Sequence, residues 1–438
     1  MRQQHTFSCF LNDLVLKSFK RLPTATEWTR FREYARRMRV LVDFGTSNAL
    51  SSDVYSIMQR YTINEPLLPN LTTLGLWGVG RSLIAFLPLF LSPRIISITF
   101  GSFAPSLPKS VVASVIRNLP TPCPNLREIN FHFLPSDPII TAAISSMFFA
   151  TNQNALQEFH ANSPLTEEAS EAVYKSQNLR GLSVVIEKGT SIPSVSLPNL
   201  TRLEIGCDDG SDGLQLLRGA TFGKLEFVSL DLRFRPIGDF LESFKDAALS
   251  SYIHNTLSAI CLFTECSWDP NYSSLLPFTR LVDLSIRSPC NESCSRVDDN
   301  TVIDLSRAIP LLETLSLGYE PCHSFTGGVT AKGLAALARN CPNLSSLCVH
   351  FQVASLCDPP TGLETTHSAG CSASWTGCVL TEFEVGDIPV PEDSASTIAL
   401  TLLRIFPRIK TIRFDNDGWI EVQDMIRRSK RIVGRSSK

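Results

Sequence analysis

Residues 330–351 read "TAKGLAALARNCPNLSSLCVHF", and two elements meet inside them. In the first eleven residues Leu334, Leu337 and Ala338 fall at i, i+3 and i+4, the spacing of a helix with one buried side. Pro342 ends that helix and leads the chain extended toward the next strand. From Leu344 the apolar residues keep an L-x-x-L-x-L spacing, so Leu347 and Val349 alternate with Ser346, Cys348 and His350 across a short strand. The same phrase returns as "CPNLREINFHF" from Cys123 and "LPNLTRLEIGC" from Leu197. Its recurrence in distant places marks a repeat.

The first apolar residue of each phrase recurs at Leu71, Ile95, Leu126, Leu179, Leu200, Leu225, Leu257, Leu281, Leu312, Leu344, Leu380 and Ile409, with Leu156 a weaker thirteenth anchor. Gaps run from 21 residues (Leu179 to Leu200) to 36 (Leu344 to Leu380), mostly within or just above the leucine-rich-repeat period. In "LTRLEIG", Leu203 and Ile205 face one side of a strand while Arg202, Glu204 and Gly206 face the other. Each repeat alone leaves an apolar face uncovered. Burying one Leu contributes roughly 1.5–3 kcal/mol, so stacked neighbours with a parallel sheet are the stable solution. Further helical stretches, "SVVASVIRNL", "TVIDLSRAI" and "STIALTLLRIF", precede Leu126, Leu312 and Ile409. The expected fold is α/β, a leucine-rich-repeat solenoid of the ribonuclease-inhibitor-like horseshoe type with a short N-terminal helical lead-in.

Three segments are expected: a helical lead-in or cap over 1–45, the solenoid over 46–420, and a C-terminal helix end with a basic tail over 421–438. In the lead-in, Thr24 stands three residues before Glu27, a capping-box spacing, and Trp28, Phe31, Ala35 and Met38 share a helical face. The tail "IRRSKRIVGRSSK" reads as solvated, with nuclear targeting or anion contact as the other reading. Insertions at Ser288–Asp299 and Ala354–Gly377 interrupt the repeats and are either mobile or adapted to a partner.

The 438 residues carry 40 Lys plus Arg against 42 Asp plus Glu, a formal charge of -2, so no global field draws the protein to nucleic acid or membrane. The longest apolar run, Leu83 to Leu91, is about half a membrane span. Asp13 inside the first apolar stretch, without a small-residue cleavage site, argues against a secretory signal. Thirteen cysteines are then expected to remain thiols, some of them as small hydrophobes on strands. The sequons at Asn70, Asn199 and Asn343 belong to the repeat phrase itself. A cytoplasmic or nuclear location, or both, is the expectation.

No chemistry finds a convincing seat. "GATFGKL" from Gly219 is one residue short of a phosphate loop and has Leu225 where the Mg-binding hydroxyl belongs. "DDGSDG" from Asp208 lacks the distal glutamate of a calcium loop and reads as a polar turn. Cys290, Cys294, Cys322 and His323 have an awkward adjacent pair for one zinc tetrahedron. Cys371 in "GCSASW", with His367 near it in sequence, lacks an arguable base and orienter. No catalytic, cofactor-binding or metal-ligating residue is assigned. What remains is the variable strand face, which would present Trp77, Glu128, Asn130, His132, Arg202, Glu204, Asp231, Asp283, Arg287, His350, Glu382, Glu384, Arg413 and Asp415 on the concave side. Its mixed charge and aromatic content suit a protein partner better than a phosphate backbone.

"EWTRFREYARRMRVL", "LLPNLTTLGL" and "VTAKGLAALARNCPNLSSLCV" together resemble the leucine-rich-repeat F-box proteins of fungi, over about residues 24–420. The resemblance implies that the repeats hold a substrate while an N-terminal F-box binds the Skp adaptor of a cullin-RING (SCF-type) ubiquitin ligase. An F-box of about 40 residues would open with Leu-Pro and carry a later Trp, whereas only "FLNDLVLKSFKRLP" precedes the lead-in helix. The chain is therefore truncated or diverged there, or it binds without delivering to a ligase, and Skp contact is expected only if residues 1–23 act as a remnant. The alternative is a stand-alone leucine-rich-repeat scaffold or binding protein without a ubiquitin role. An enzymatic rival is a small-molecule hydrolase using Cys371.

Overall fold

Most of the repeat strands are entered through the same tight turn. The amide of the anchor residue donates to the carbonyl three residues earlier, as in Leu71 to Leu68 (3.1 Å), Leu126 to Cys123 (3.2 Å), Leu200 to Leu197 (3.2 Å), Leu344 to Cys341 (3.2 Å) and Ile409 to Phe406 (3.2 Å). Proline at the second turn position, in Pro69, Pro124, Pro198, Pro342 and Pro407, fixes the φ that such a turn needs. All thirteen anchors are buried, and so are the residues that accept these bonds.

The computed structural model describes residues 24–43, 56, 58–60, 62, 65–79, 81–133, 137–150, 156–190, 194–208, 210–234, 239–265, 268, 270–288, 297–318, 328–357, 377–386 and 388–436. Fourteen strands stand in chain order in a long parallel sheet, with helices between them. By internal contacts the chain forms two compact units, Met1–Leu203 and Glu204–Lys438.

The first unit holds α1 (Ala25–Ala35), β1 (Val40–Asp43), β2 (Thr73–Leu76), α2 (Arg81–Phe86), β3 (Ser97–Ser102), α3 (Lys109–Asn118), β4 (Glu128–Phe133), α4 (Pro138–Ala150), β5 (Glu158–Pro164), α5 (Glu167–Tyr174), β6 (Gly181–Ile186), β7 (Val195–Leu197) and the start of β8 (Arg202–Cys207). The capping box is present at α1: Glu27 Oε2 accepts from the Thr24 amide at 2.7 Å, and Thr24 Oγ1 from the Glu27 amide at 3.3 Å. Trp28, Phe31 and Ala35 are buried, while Met38 lies beyond the helix and is half-buried. The lead-in differs from its purely helical expectation, because its last residues form β1, in parallel register with β2 (Leu41 opposite Leu74). Met38 takes the anchor position of this strand, and Asp43 falls where a third apolar residue was expected.

Asparagine in the turn ties each of several repeats to the one before. Asn70 Nδ2 donates to the Arg36 carbonyl (2.6 Å), Asn125 to Pro93 (2.8 Å) and Asn199 to Gln177 (3.1 Å). The core of this unit is aromatic: Phe100 stacks on Phe131 at 5.6 Å, and Phe159 meets both Phe131 and Phe148 edge-on. The sequons at Asn70 and Asn199 are thereby structural positions of the repeat.

The second unit continues with α6 (Ser211–Gly219), β9 (Ala220–Phe222), β10 (Phe227–Leu232), α7 (Phe240–Ser250), β11 (Ala259–Thr264), β12 (Asp283–Arg287), α8 (Asp299–Ala308), β13 (Thr314–Leu317), α9 (Ala331–Asn340), β14 (Ser346–Val349), α10 (Ala354–Cys357), β15 (Glu382–Gly386), α11 (Ala395–Ile405), β16 (Thr411–Phe414) and α12 (Gly418–Ser436). Here the inward rows, such as Ile260–Leu284–Leu315–Leu347–Phe383–Ile412, pair in register and are buried. The segment 421–438, expected to be a helix end with a basic tail, is helical through Ser436 as part of the 19-residue helix α12. Trp419, Val422 and Ile426 are buried along one side, and Trp419 Nε1 donates to the Ile388 carbonyl at 2.7 Å. Gln423 stands in for a further strand: its Oε1 accepts from the Ile412 amide (2.5 Å), and its Nε2 donates to the Lys410 carbonyl (3.1 Å). Lys430, half-buried, donates to the Ile409 carbonyl, so that this cation serves the strand edge.

Candidate functional site

Strand alternation places all fourteen candidate residues on the side opposite the core rows. None of them is buried, while the inward residues that alternate with them are, apart from the half-buried Phe414 between Arg413 and Asp415. The register decides which of them meet.

In the first unit the pairs Ser97–Glu128–Glu158 and Thr99–Asn130–His160 form successive outward rows across β3, β4 and β5. Trp77, just past β2, lies flat over Gly101 and stacks on His132, with ring centroids 4.7 Å apart and planes at 24°. A Cβ at Gly101 would come within 2.2 Å of the indole, so glycine is what lets the ring lie there. His160 was not among the candidates, because its strand follows the weak anchor Leu156 and is spelled "EFHANSP". It stands 3.8 Å from Glu158 through Nε2. Burial lowers the pKa of His132 below the usual imidazole value, and the neighbouring His160 adds to the effect. Arg202, at the start of β8, is exposed. Trp77 and His132 are the candidates of this unit that the structure brings into ring contact.

In the second unit Glu204 is half-buried on β8 and Asp231 is exposed at the end of β10. Burial and nearby Glu265 push the Asp231 carboxyl up, against the pull of Arg233. Opposite Asp231 stands Phe263, exposed on β11, and the Arg287 guanidinium lies 5.9 Å from that ring. Asp283, on the same strand as Arg287, is pushed up by burial and drawn down by Arg287. Glu382 and Arg413 pair with each other at 2.7 Å.

Beyond these, Arg287, His350, Glu384 and Asp415 come together around a cavity of about 350 Å³ that Ser316 and Cys348 also line. Its walls depend on two glycines at positive φ, Gly318 (φ 101) and Gly386 (φ 59). A Cβ on Gly318 would meet the His350 ring at 2.7 Å, the same glycine-under-ring arrangement as at Gly101. Burial lowers the pKa of His350, which keeps its ring neutral at pH 7. Burial and the Glu384 charge push the Cys348 thiol up to about 11. A protonated thiol is a poor nucleophile, so the cavity offers hydrogen bonds and charge but no activated sulfur. Phe263, Ser316 and Cys348 were missed because outward aromatic, hydroxyl and thiol residues gain meaning only once register puts them beside charged neighbours.

"GATFGKL" ends in a turn that buries Leu225 ahead of β10, without the helix start that a phosphate loop requires. "DDGSDG" opens α6, with Gly210 at φ 87 as the residue before the helix. The candidate zinc ligands Cys290, Cys294, Cys322 and His323, together with Cys371, His367 and most of both insertions, lie outside the described residues. Among the described residues no group of three His, Cys, Asp or Glu side chains is placed to hold a metal ion, and no helix is long and apolar enough to cross a membrane.

No family model and no curated protein matches the chain. Among solved structures it is similar to a chain of the Rad7 and Elc1 complex from yeast, at 15% identity over 95% of this chain and 89% of that one, with a TM-score of 0.44. It is also similar to a Bacteroides fragilis protein from a structural genomics consortium, at 14% identity over 84% of this chain and 73% of that one, with a TM-score of 0.30.

Proposed function

We propose that this chain is a non-catalytic protein-recognition module of the leucine-rich-repeat kind, a ribonuclease-inhibitor-like solenoid that holds a protein partner on the outward face of its strands. The observation that supports this is the split within each strand: inward residues form a closed apolar core, while the alternate residues carry Trp, His, Asp, Glu and Arg side chains in register. Aromatic and arginine side chains on a rigid support are the residue types that dominate binding energy at protein interfaces. The resemblance of the repeat phrases to fungal F-box proteins extends the proposal to substrate recognition in a cullin-RING ubiquitin ligase. The adaptor-binding part of that proposal falls on residues 1–23, which lie outside the described residues.

The test is affinity capture with the full chain followed by mass spectrometry, repeated with Trp77→Ala and Arg202→Glu. A partner that both variants lose at an unchanged melting temperature supports recognition through the strand face. An identical captured set in wild type and variants overturns it. Skp adaptor and cullin in the wild-type capture support the ligase role, and their absence leaves a stand-alone binding protein.

A further inference from the structure

At the end of the repeats three elements bring their cations to one corner of the second unit. Arg404 stands in the last turn of α11, and that helix runs straight into the entry turn of β16, where the Phe406 amide donates to the Leu402 carbonyl. The turn carries Arg408, and Lys410 follows it. The C-terminal half of α12 closes on the same place. Lys430 donates to the Ile409 carbonyl, between those two residues, and Arg427, Arg428 and Arg431 lie around it on the helix. Burial and the nearby Lys410 ammonium both lower the pKa of Lys430. The other six cations are exposed.

No opposite charge is supplied beside them. Segments 402–414 and 425–431 contain no Asp or Glu. Arg427 pairs with Asp424 at 3.4 Å, while among the described residues Arg404, Arg408, Lys410, Arg428 and Arg431 have no carboxylate within ion-pair distance. The fold uses Lys430 at the strand edge, and the α11 macrodipole accounts for Arg404 in its last turn. Neither accounts for Arg408 and Lys410 on the turn, or for Arg428 and Arg431, which precede the last turn of α12. Like charges held at fixed positions repel, and an opposite charge laid across them relieves that repulsion.

We propose that this corner docks an Asp- and Glu-rich segment of a partner protein. The inference rests on the protein-recognition reading above and adds to the strand face a second surface of defined charge. The planar forks of Arg404, Arg408, Arg428 and Arg431 match carboxylates bidentately. Residues 427–431 are helical and Lys430 is tied to the strand, so the cations form a fixed surface and not an extended basic tag. Bases of a nucleic acid would find no exposed aromatic ring to stack on among 402–431, where Phe406 and Trp419 are buried and Phe414 is half-buried. The exposed apolar side chains of α11 and α12, Leu400 and Ile420, are too few to enter a lipid surface, and Ile420 stands about 16 Å along the helix from Arg431.

The experiment titrates the full chain, at low salt, into a fluorescent alternating Asp-Glu dodecapeptide, a dT oligonucleotide of equal length and phosphatidylserine-containing vesicles. The peptide is expected to bind best and to weaken as salt is raised. Its affinity is expected to fall about tenfold or more in Arg408→Gln/Lys410→Gln/Arg428→Gln/Arg431→Gln, and by an intermediate amount in Arg428→Gln/Arg431→Gln. Arg30→Gln/Arg36→Gln/Arg127→Gln/Arg180→Gln makes the same change of charge at exposed positions of the first unit and is expected to leave it unchanged. Equal loss in the two quadruple variants, no peptide binding, or tighter binding of oligonucleotide or vesicles that the corner variant loses overturns the inference. Each of these leaves protein recognition standing as long as Trp77→Ala and Arg202→Glu still lose the captured partner.

Discussion

Replacing Gln423 by methionine removes the amide that closes the last strand while keeping the length and flexibility of the side chain. In the folded protein the Ile412 amide, on a residue 4% exposed, would lose its acceptor at 2.5 Å, and the Lys410 carbonyl its donor at 3.1 Å. A buried amide left unpaired costs about 1–3 kcal/mol, and the second bond, to an exposed residue that water can reach, about 0.5–1 kcal/mol. The sum is about 1.5–4 kcal/mol. Because repeat arrays lose stability locally, the loss should appear first in β16 and α12. Hydrogen exchange of peptides covering 409–426 should accelerate by about 10- to 900-fold, with β12 and β13 little changed. Exchange in 409–426 within about threefold of wild type would show that the helix is held by Trp419, Val422 and Ile426 alone. The idea that Gln423 stands in for a strand would then fail.

Gly101→Ala places a methyl group inside the Trp77 ring and is expected to cost about 1–3 kcal/mol and to alter the near-ultraviolet dichroism of the indole, although alanine normally favours a strand over glycine. An unchanged spectrum would mean that Trp77 does not lie over Gly101. Leu315→Asp, at a fully buried position between Leu284 and Leu347, should cost several kcal/mol and lower soluble yield, and wild-type melting would show the register to be wrong. His350 has a folded-state pKa below its ordinary 6.5, so the unfolded chain takes up its proton first as pH falls. The stability from the neutral ring is thus fully present above about pH 6.5 and is lost as pH drops through the lower folded value, with His132 acting in the same direction. Urea midpoints at about pH 7.5 and 5.5 should differ more in wild type than in His350→Gln, and equal differences would rule this out.

The repeat was legible because burial acts on it directly. The anchors from Leu71 to Ile409 are all buried, and the proline or asparagine that shapes many of their turns is visible in sequence. β1 was hidden because Met38 replaces leucine at its anchor and Asp43 breaks the alternation. The basic residues of α12 drew attention from Trp419, Val422 and Ile426, although their i, i+3, i+7 spacing is present in the sequence. For the site, alternation alone separates outward from inward side chains within a strand. Which of them touch depends on register between strands about 30 residues apart and on glycines at two particular levels, and neither is a local property.

The two rings that lie over glycine carry a thermodynamic consequence. Trp77 is held between Gly101 and His132, and His350 rests against Gly318, so neither ring swings freely before a partner arrives. Freezing a mobile interface side chain costs about 0.5–1.5 kcal/mol of association free energy, and for a partner bound on the proposed face folding would already have met that cost. Under the proposed recognition role, the missing side chains of Gly101 and Gly318 would thus act on affinity without touching any ligand, by removing disorder from the rings above them.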